Sequence, residues 1–178
     1  MSIKTKWYVV AGGPCTGKTK VVRRLASLGH KTIPDTSRVI IDREIKKGKT
    51  IKEVRKKEAG FQRKIFQMKV EIENKIPPSQ LTFLDSGGIP ACIAYYQIAG
   101  LDPAPVIKEA DKRKYKGVFF LEQLPYKKDY ARIEDRKTAR KLNKLLYETY
   151  QNMKYKVIRV PVKPVEERVK FILERLDL

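Results

Sequence analysis

The chain has 178 residues, 42% of them hydrophobic, which is enough for the core of one compact domain. No apolar run approaches the roughly 18 residues of a membrane-spanning helix, so a helical membrane protein is excluded. Forty Lys and Arg stand against 20 Asp and Glu, a formal charge of +20 that points to a polyanionic partner, whether a phosphorylated small molecule, a nucleic acid or an anionic lipid headgroup.

Met1 to Lys6 runs straight into an apolar stretch and leaves no room for a secretory signal, so a cytoplasmic protein is expected. Lys6–Ala11 reads as a first strand, buried and parallel in type. It is followed by Gly12-Gly13-Pro14-Cys15-Thr16-Gly17-Lys18-Thr19, which meets the phosphate-loop pattern G-x-x-x-x-G-K-[ST] at every position. A first helix, Gly17–Leu28, carries Val21, Val22, Leu25 and Leu28 at helical spacing. In such a loop, backbone N–H groups curl around a β-phosphate and the helix directs its positive end at the same charge. Lys18 is expected to reach the β- and γ-phosphates and the Thr19 hydroxyl to sit on Mg²⁺. Cys15 is read as a small loop residue, and His30, after Gly29, as part of the helix end. Cys15 and Cys92 lie too far apart in sequence for metal-ligand spacing.

A short second strand, Lys31–Ile33, leads into Pro34-Asp35-Thr36-Ser37-Arg38. Asp35 thus sits at the carboxyl end of a parallel strand, where ligands bind in such sheets. It is a candidate base for an attacking hydroxyl, and Arg38 a candidate clamp for an anionic substrate group. The bland alternative for Asp35 is a helix cap. Helices are expected around Val39–Ile45 and from Thr50, and then from Phe61 to about Ile76, with Phe61, Ile65, Met68 and Ile72 on one face. Pro77-Pro78 ends the last of these. Leu81–Asp85 is a third strand ending in an acid, so that Asp85 would hold Mg²⁺ through water, opposite Thr19.

Ile89–Ile98 and Val106–Arg113 read as helices and Gly117–Leu121 as a fourth strand. A basic stretch within about residues 122–140 then suits a phosphate-covering lid, with Arg132 first, and Arg136 and Arg140 behind it, as the guanidinium that stabilises the transferring phosphoryl group. A long helix, Arg136–Met153, a fifth strand, Lys156–Val160, and a last helix, Val165–Leu176, complete the chain. Alternating strands and helices imply a mainly parallel five-stranded sheet covered on both faces, a three-layer α/β/α domain.

With these residues placed, the sequence resembles the P-loop ATPase/kinase family that includes the nicotinamide riboside kinase domain of bacterial NadR proteins and AAA-like ATPase domains. The resemblance spans nearly the whole chain. It rests on Gly12–Thr19, on Pro34-Asp35-Thr36-Ser37-Arg38, on Phe61-Gln62-Arg63, on Asp129-Tyr130-Ala131-Arg132-Ile133-Glu134 and on the ending Val160–Val169. It implies a strand order of 2-3-1-4-5 and a Mg²⁺- and ATP-dependent kinase (GTP being the alternative) acting on a small hydroxyl-bearing molecule such as a nucleoside or nucleotide. The chain departs from the family after the third strand. Where relatives carry Asp-Arg-Gly and a further Asp, it has Asp85-Ser86-Gly87-Gly88 and Ala91. The rival expectation is a nucleotide-dependent binding module whose basic surface holds nucleic acid or anionic lipid.

Overall fold

The computed structural model describes residues 2–125 and 135–176. Its elements in chain order are β1 (Ile3–Lys4), β2 (Trp7–Ala11), α1 (Lys18–Ser27), β3 (Lys31–Ile33), α2 (Thr36–Lys46), α3 (Ile51–Arg55), α4 (Glu58–Glu73) and β4 (Thr82–Asp85). They continue with α5 (Ala91–Ile98), α6 (Ala104–Ala110), β5 (Arg113–Lys114), β6 (Gly117–Leu121), α7 (Arg136–Asn152), β7 (Val157–Val160) and α8 (Val165–Leu173).

The main sheet runs β3-β4-β2-β6-β7, and all four strand pairs are parallel. Numbered among these strands alone, this is the expected 2-3-1-4-5 order. β2, β4 and β6 are buried at every position, as central strands covered on both faces must be. Alternation along β2 divides the core. Trp7, Val9 and Ala11 join one cluster with Ala94, Leu142, Leu146 and Tyr150, from α5 and α7. Tyr8 and Val10 join another with Val21, Leu25, Val169 and Ile172, from α1 and α8. This is the period of two acting on both layers at once. A third cluster, including Ile41, Phe61, Ile65 and Val106, ties α2, α4 and α6 together beside the sheet.

Two differences from the sequence expectations have physical causes. The helix expected over Val106–Arg113 is α6, Ala104–Ala110, and Arg113 instead lies in β5, paired in parallel with β1. That pairing joins residues more than a hundred positions apart, which local periodicity does not register. The buried stripe of α4 is Phe61, Ile65, Lys69 and Glu73 with Gln62, whereas Met68 and Ile72 are only half-buried. Lys69 and Glu73 are tolerated inside because each finds partners there.

Candidate active site

The parallel sheet brings the carboxyl ends of β2, β3 and β4 to one edge, and the chemistry gathers there. The loop after β2 is held from several sides. The Asn143 Oδ1 on α7 accepts from Gly13 N–H at 2.8 Å. A Cβ on Gly13 would stand 2.8 Å from the Asn143 Cβ, so this close approach requires glycine. Cys15 is buried with φ 62°, and its carbonyl accepts from Leu124 N–H at 2.9 Å. Arg168, almost wholly buried on α8, donates through Nη1 to the Thr16 carbonyl at 2.7 Å. Its Nε and Nη2 have no hydrogen-bond partner among the described residues, so its charge adds to the field beneath the loop.

Lys18 lies across the mouth of this loop, donating to the carbonyls of Gly12 (2.9 Å) and Gly13 (2.8 Å). No side chain caps α1 and its first turn carries no acid, so the positive helix end faces the same space. His30 belongs to the end of α1, as expected, its N–H donating to the Leu25 carbonyl at 3.2 Å, and its ring stands edge-on to Phe83.

Two acids meet opposite the loop. Asp35 caps α2, with Oδ1 accepting from Ser37 N–H at 2.9 Å and from the Ser37 hydroxyl at 2.6 Å, while Oδ2 is 3.9 Å from Arg38 Nε. Burial opposes its ionisation. The Ser37 hydrogen bond, the Lys18 and Lys69 charges and the Ser86 hydroxyl outweigh that cost and hold its carboxyl below the usual range. Asp85 is pushed the other way, by burial and by the Asp35 charge, against Lys18, the Ser86 N–H and the Thr19 hydroxyl. The cap and the candidate base are therefore one residue, and Ser86 touches both acids.

The turn after Asp85 is fixed atom by atom. Ser86, Gly87 and Gly88 all take positive φ. Lys69 donates to the carbonyls of Ser86 (2.8 Å) and Gly88 (2.7 Å), and Tyr150 to that of Gly87 (2.5 Å). Ile89 N–H donates to Glu73 at 3.0 Å, and the Tyr115 hydroxyl donates to the same carboxylate at 2.8 Å. A Cβ on Gly87 would overlap the Tyr150 hydroxyl and the Ala91 Cβ.

These parts open onto a cavity of about 510 Å³, within the size range of small-ligand sites. The phosphate loop, Asp35, Arg38 and Ser86 line it, together with the apolar and aromatic side chains of Ile41, Phe61, Ile65 and Tyr95. Arg55, Gln62 and Lys69 also reach it. Of the lid residues expected from sequence, Arg132 lies outside the described residues, as does the segment 126–134. Arg136 and Arg140 are exposed on α7 and do not line the cavity. Sequence reasoning missed Asn143, Arg168, Lys69 and Arg55. Arg168 falls within the Val160–Val169 ending, but nothing local signals its burial.

The donor set suits a divalent cation. The Thr19 hydroxyl is hydrogen-bonded to Asp85, and Asp85 and Asp35 concentrate negative charge within a buried site. Among the described residues, no three His, Cys, Asp or Glu side chains gather as an all-protein metal site. A hard cation at Thr19 and Asp85 would complete its shell from phosphate oxygens and water, as Mg²⁺ does in nucleotide sites.

Among solved structures, the fold is similar to NadR in complex with NR (14% identity, 98% of this chain and 51% of that chain, TM-score 0.71). It is also similar to shikimate kinase from Acinetobacter baumannii in complex with shikimate (22%, 97% and 93%, 0.63), and to deoxyadenosine kinase from M. mycoides with bound dCTP (12%, 96% and 98%, 0.63). The chain spans about half the length of the NadR chains it matches. Among curated proteins, no relative matches the sequence. The architecture is thus that of the P-loop kinases, and no helix among the described residues is long and apolar enough to cross a membrane. A family model described as an AAA domain matches residues 7–168, nearly the whole chain, and the chain belongs to that family of P-loop proteins.

Proposed function

We propose that this chain is a phosphotransferase that moves the γ-phosphoryl group of ATP, or of GTP as the alternative, to a hydroxyl of a small molecule of the nucleoside or nucleotide kind. The observation that carries this reading is that the phosphate loop and Asp35 line the same cavity. A triphosphate seated on the N–H groups of Cys15 to Thr19 would direct its terminal phosphate toward the carboxyl edge of the sheet. The basic character of the chain fits a polyanionic ligand.

Each residue then has a task. Lys18, now spanning the loop carbonyls, would turn to the β- and γ-oxygens and offset charge as the leaving oxygen develops it. Thr19 and Asp85 would hold Mg²⁺, which would supply positive charge to offset that of the phosphates. Asp35, held ionised, would accept the proton of the attacking hydroxyl. Arg38 would orient the acceptor from the next turn of α2. Arg132, in the basic stretch after β6, is proposed as the guanidinium that offsets charge on the transferring phosphoryl group. The kinase neighbours support the fold on which this chemistry is commonly built.

The test is calorimetric titration of the protein with a non-hydrolysable ATP analogue, and with its GTP counterpart, in the presence of Mg²⁺. Saturable one-to-one binding that is lost in Lys18→Ala is expected. Equal affinity in the variant would remove the phosphate loop, and with it the reading.

A further inference from the structure

Phe61, Gln62, Ile65 and Lys69 of α4 all line the cavity, and the transfer chemistry leaves them without a task. Gln62 is the polar member that is almost wholly buried and yet meets the cavity. Its Nε2 donates to Glu58 Oε1 at 2.8 Å, one helical turn back. Glu58 is itself fixed by Arg55, which donates to it from Nε at 3.0 Å and from Nη2 at 2.7 Å. A carboxylate only accepts, so the amide of Gln62 is held with its nitrogen toward Glu58 and its carbonyl directed elsewhere.

That carbonyl oxygen, Oε1, accepts from no group among the described residues. The enclosed side-chain atoms that lack a hydrogen bond all belong to Arg168. Gln62 Oε1 is therefore not enclosed, and the open space that this buried side chain meets is the cavity. Lys69 stands seven residues further along α4, about two turns and about 10 Å along the helix axis. Its ammonium binds the Ser86 carbonyl and its charge acts on Asp35, so the candidate base lies at the Lys69 end of this row. Ile65 falls between Gln62 and Lys69 on the same helix face. A molecule with its reacting hydroxyl at Asp35 that extends along the row meets apolar side chains first and then one carbonyl oxygen.

A group placed against that oxygen must bring a donor. A C–H or a second acceptor would leave a buried carbonyl without its hydrogen bond, which is costly in a site so enclosed. An apolar row closed by a single carbonyl suits a flat heterocycle with an N–H on its far edge. We infer that Gln62 reads such an N–H. Resting on the kinase reading above, the structure assigns Gln62 to the base of a nucleoside acceptor, with Oε1 accepting from a ring N–H or an exocyclic amine. Gln62 is thus a specificity-determining residue, and Glu58, held by Arg55, is the positioning residue behind it.

The experiment loads the phosphate loop with a non-hydrolysable ATP analogue and Mg²⁺, then titrates nucleoside pairs that differ in one donor. The pairs are adenosine against purine riboside, cytidine against pyrimidin-2-one riboside, and uridine against 3-methyluridine. The donor-bearing member of at least one pair is expected to bind about tenfold tighter or more, as the loss of one buried hydrogen bond implies. Which pair responds identifies the base. The preference should collapse in Gln62→Met, and in Gln62→Asn, which keeps an amide but draws its carbonyl back by one methylene. Each comparison is a ratio within one protein, so partial unfolding of a variant lowers both members together. Equal binding within every pair, no binding of any nucleoside, or a preference unchanged in both variants overturns the assignment. A parallel assay follows transfer from labelled ATP to the same nucleosides. Donor-selective binding without transfer to any of them would keep the Gln62 subsite and count against the kinase reading. Transfer at equal kcat/KM within every pair would do the reverse.

Discussion

The buried ammonium of Lys69 donates to the carbonyl of Ser86 at 2.8 Å, so the turn that follows Asp85 is anchored to a helix that begins more than twenty residues upstream. The same ammonium holds Gly88 and lowers the pKa of Asp35, which couples the shape of the turn to the charge of the candidate base. Replacing Lys69 by Met leaves both carbonyls buried and unmatched, at about 1–3 kcal/mol each. Lys69→Met is expected to unfold at a clearly lower denaturant midpoint than the parent, measured by circular dichroism. An unchanged midpoint would mean that the turn holds itself.

Glu73 gives stability a pH dependence. Burial pushes its carboxyl up to about 7, against the Tyr115 hydrogen bond, the Lys69 and Arg113 charges and the Ile89 N–H. The native state thus keeps a proton that the unfolded chain, titrating near 4.5, has released. Stability attributable to this group falls as pH rises between those two values and is level above them. The loss is about 3 kcal/mol at 1.36 kcal/mol per pH unit. Glu73→Gln keeps an oxygen for Ile89 N–H and removes the titration. The difference in unfolding free energy between parent and variant should therefore shift toward the variant from pH 5 to pH 8. Parallel profiles would contradict the assignment.

The sequence made the phosphate loop legible because its spacing encodes a local backbone shape, and Asp35 and Asp85 legible because strand ends in a parallel sheet share one edge. β2, β6 and β7 are also mostly apolar runs. Asn143 and Arg168 were not legible: they reach the loop from 130 and 152 residues away, through contacts that no local pattern carries. Lys69 and Glu73 escaped for a different reason. Their types argue for an exposed face, and burial is explained by partners on the turn of Ser86 to Ile89 and, for Glu73, by the Tyr115 hydroxyl. The β1–β5 pair was misjudged as helix at Arg113 because a two-residue strand has no periodicity to read.

The loop itself is tested by Lys18→Ala. Removing the ammonium takes away a preorganised charge worth several kcal/mol in the transition state. Mg²⁺-dependent turnover of ATP is expected to fall by about 10²-fold or more, with the far-ultraviolet spectrum unchanged. Turnover within a few-fold of the parent would place catalysis elsewhere.

The excess charge makes its own prediction. A protein of formal charge +20 attracts any polyanion at low salt. Binding to RNA or DNA, followed by fluorescence anisotropy, should fall by orders of magnitude between about 50 and 200 mM salt, as counterion release requires. It should also be indifferent to a bound ATP analogue. Affinity that persists at about 150 mM salt and responds to the nucleotide would instead indicate two coupled sites and a nucleic-acid module.

Asp35 carries the central claim, because it is both the cap of α2 and the proposed base. Asn caps helices as well as Asp does, so Asp35→Asn preserves the fold while removing the proton acceptor. The most direct measurement incubates the protein with ATP labelled in its γ-phosphate and a pool of small hydroxyl-bearing metabolites, and identifies labelled products by mass spectrometry. A labelled phosphate ester is expected with the parent protein, and its rate of formation should fall about 10²- to 10⁴-fold in Asp35→Asn with ATP binding retained. Label passing only to water, or a product formed equally fast by Asp35→Asn, would contradict the account.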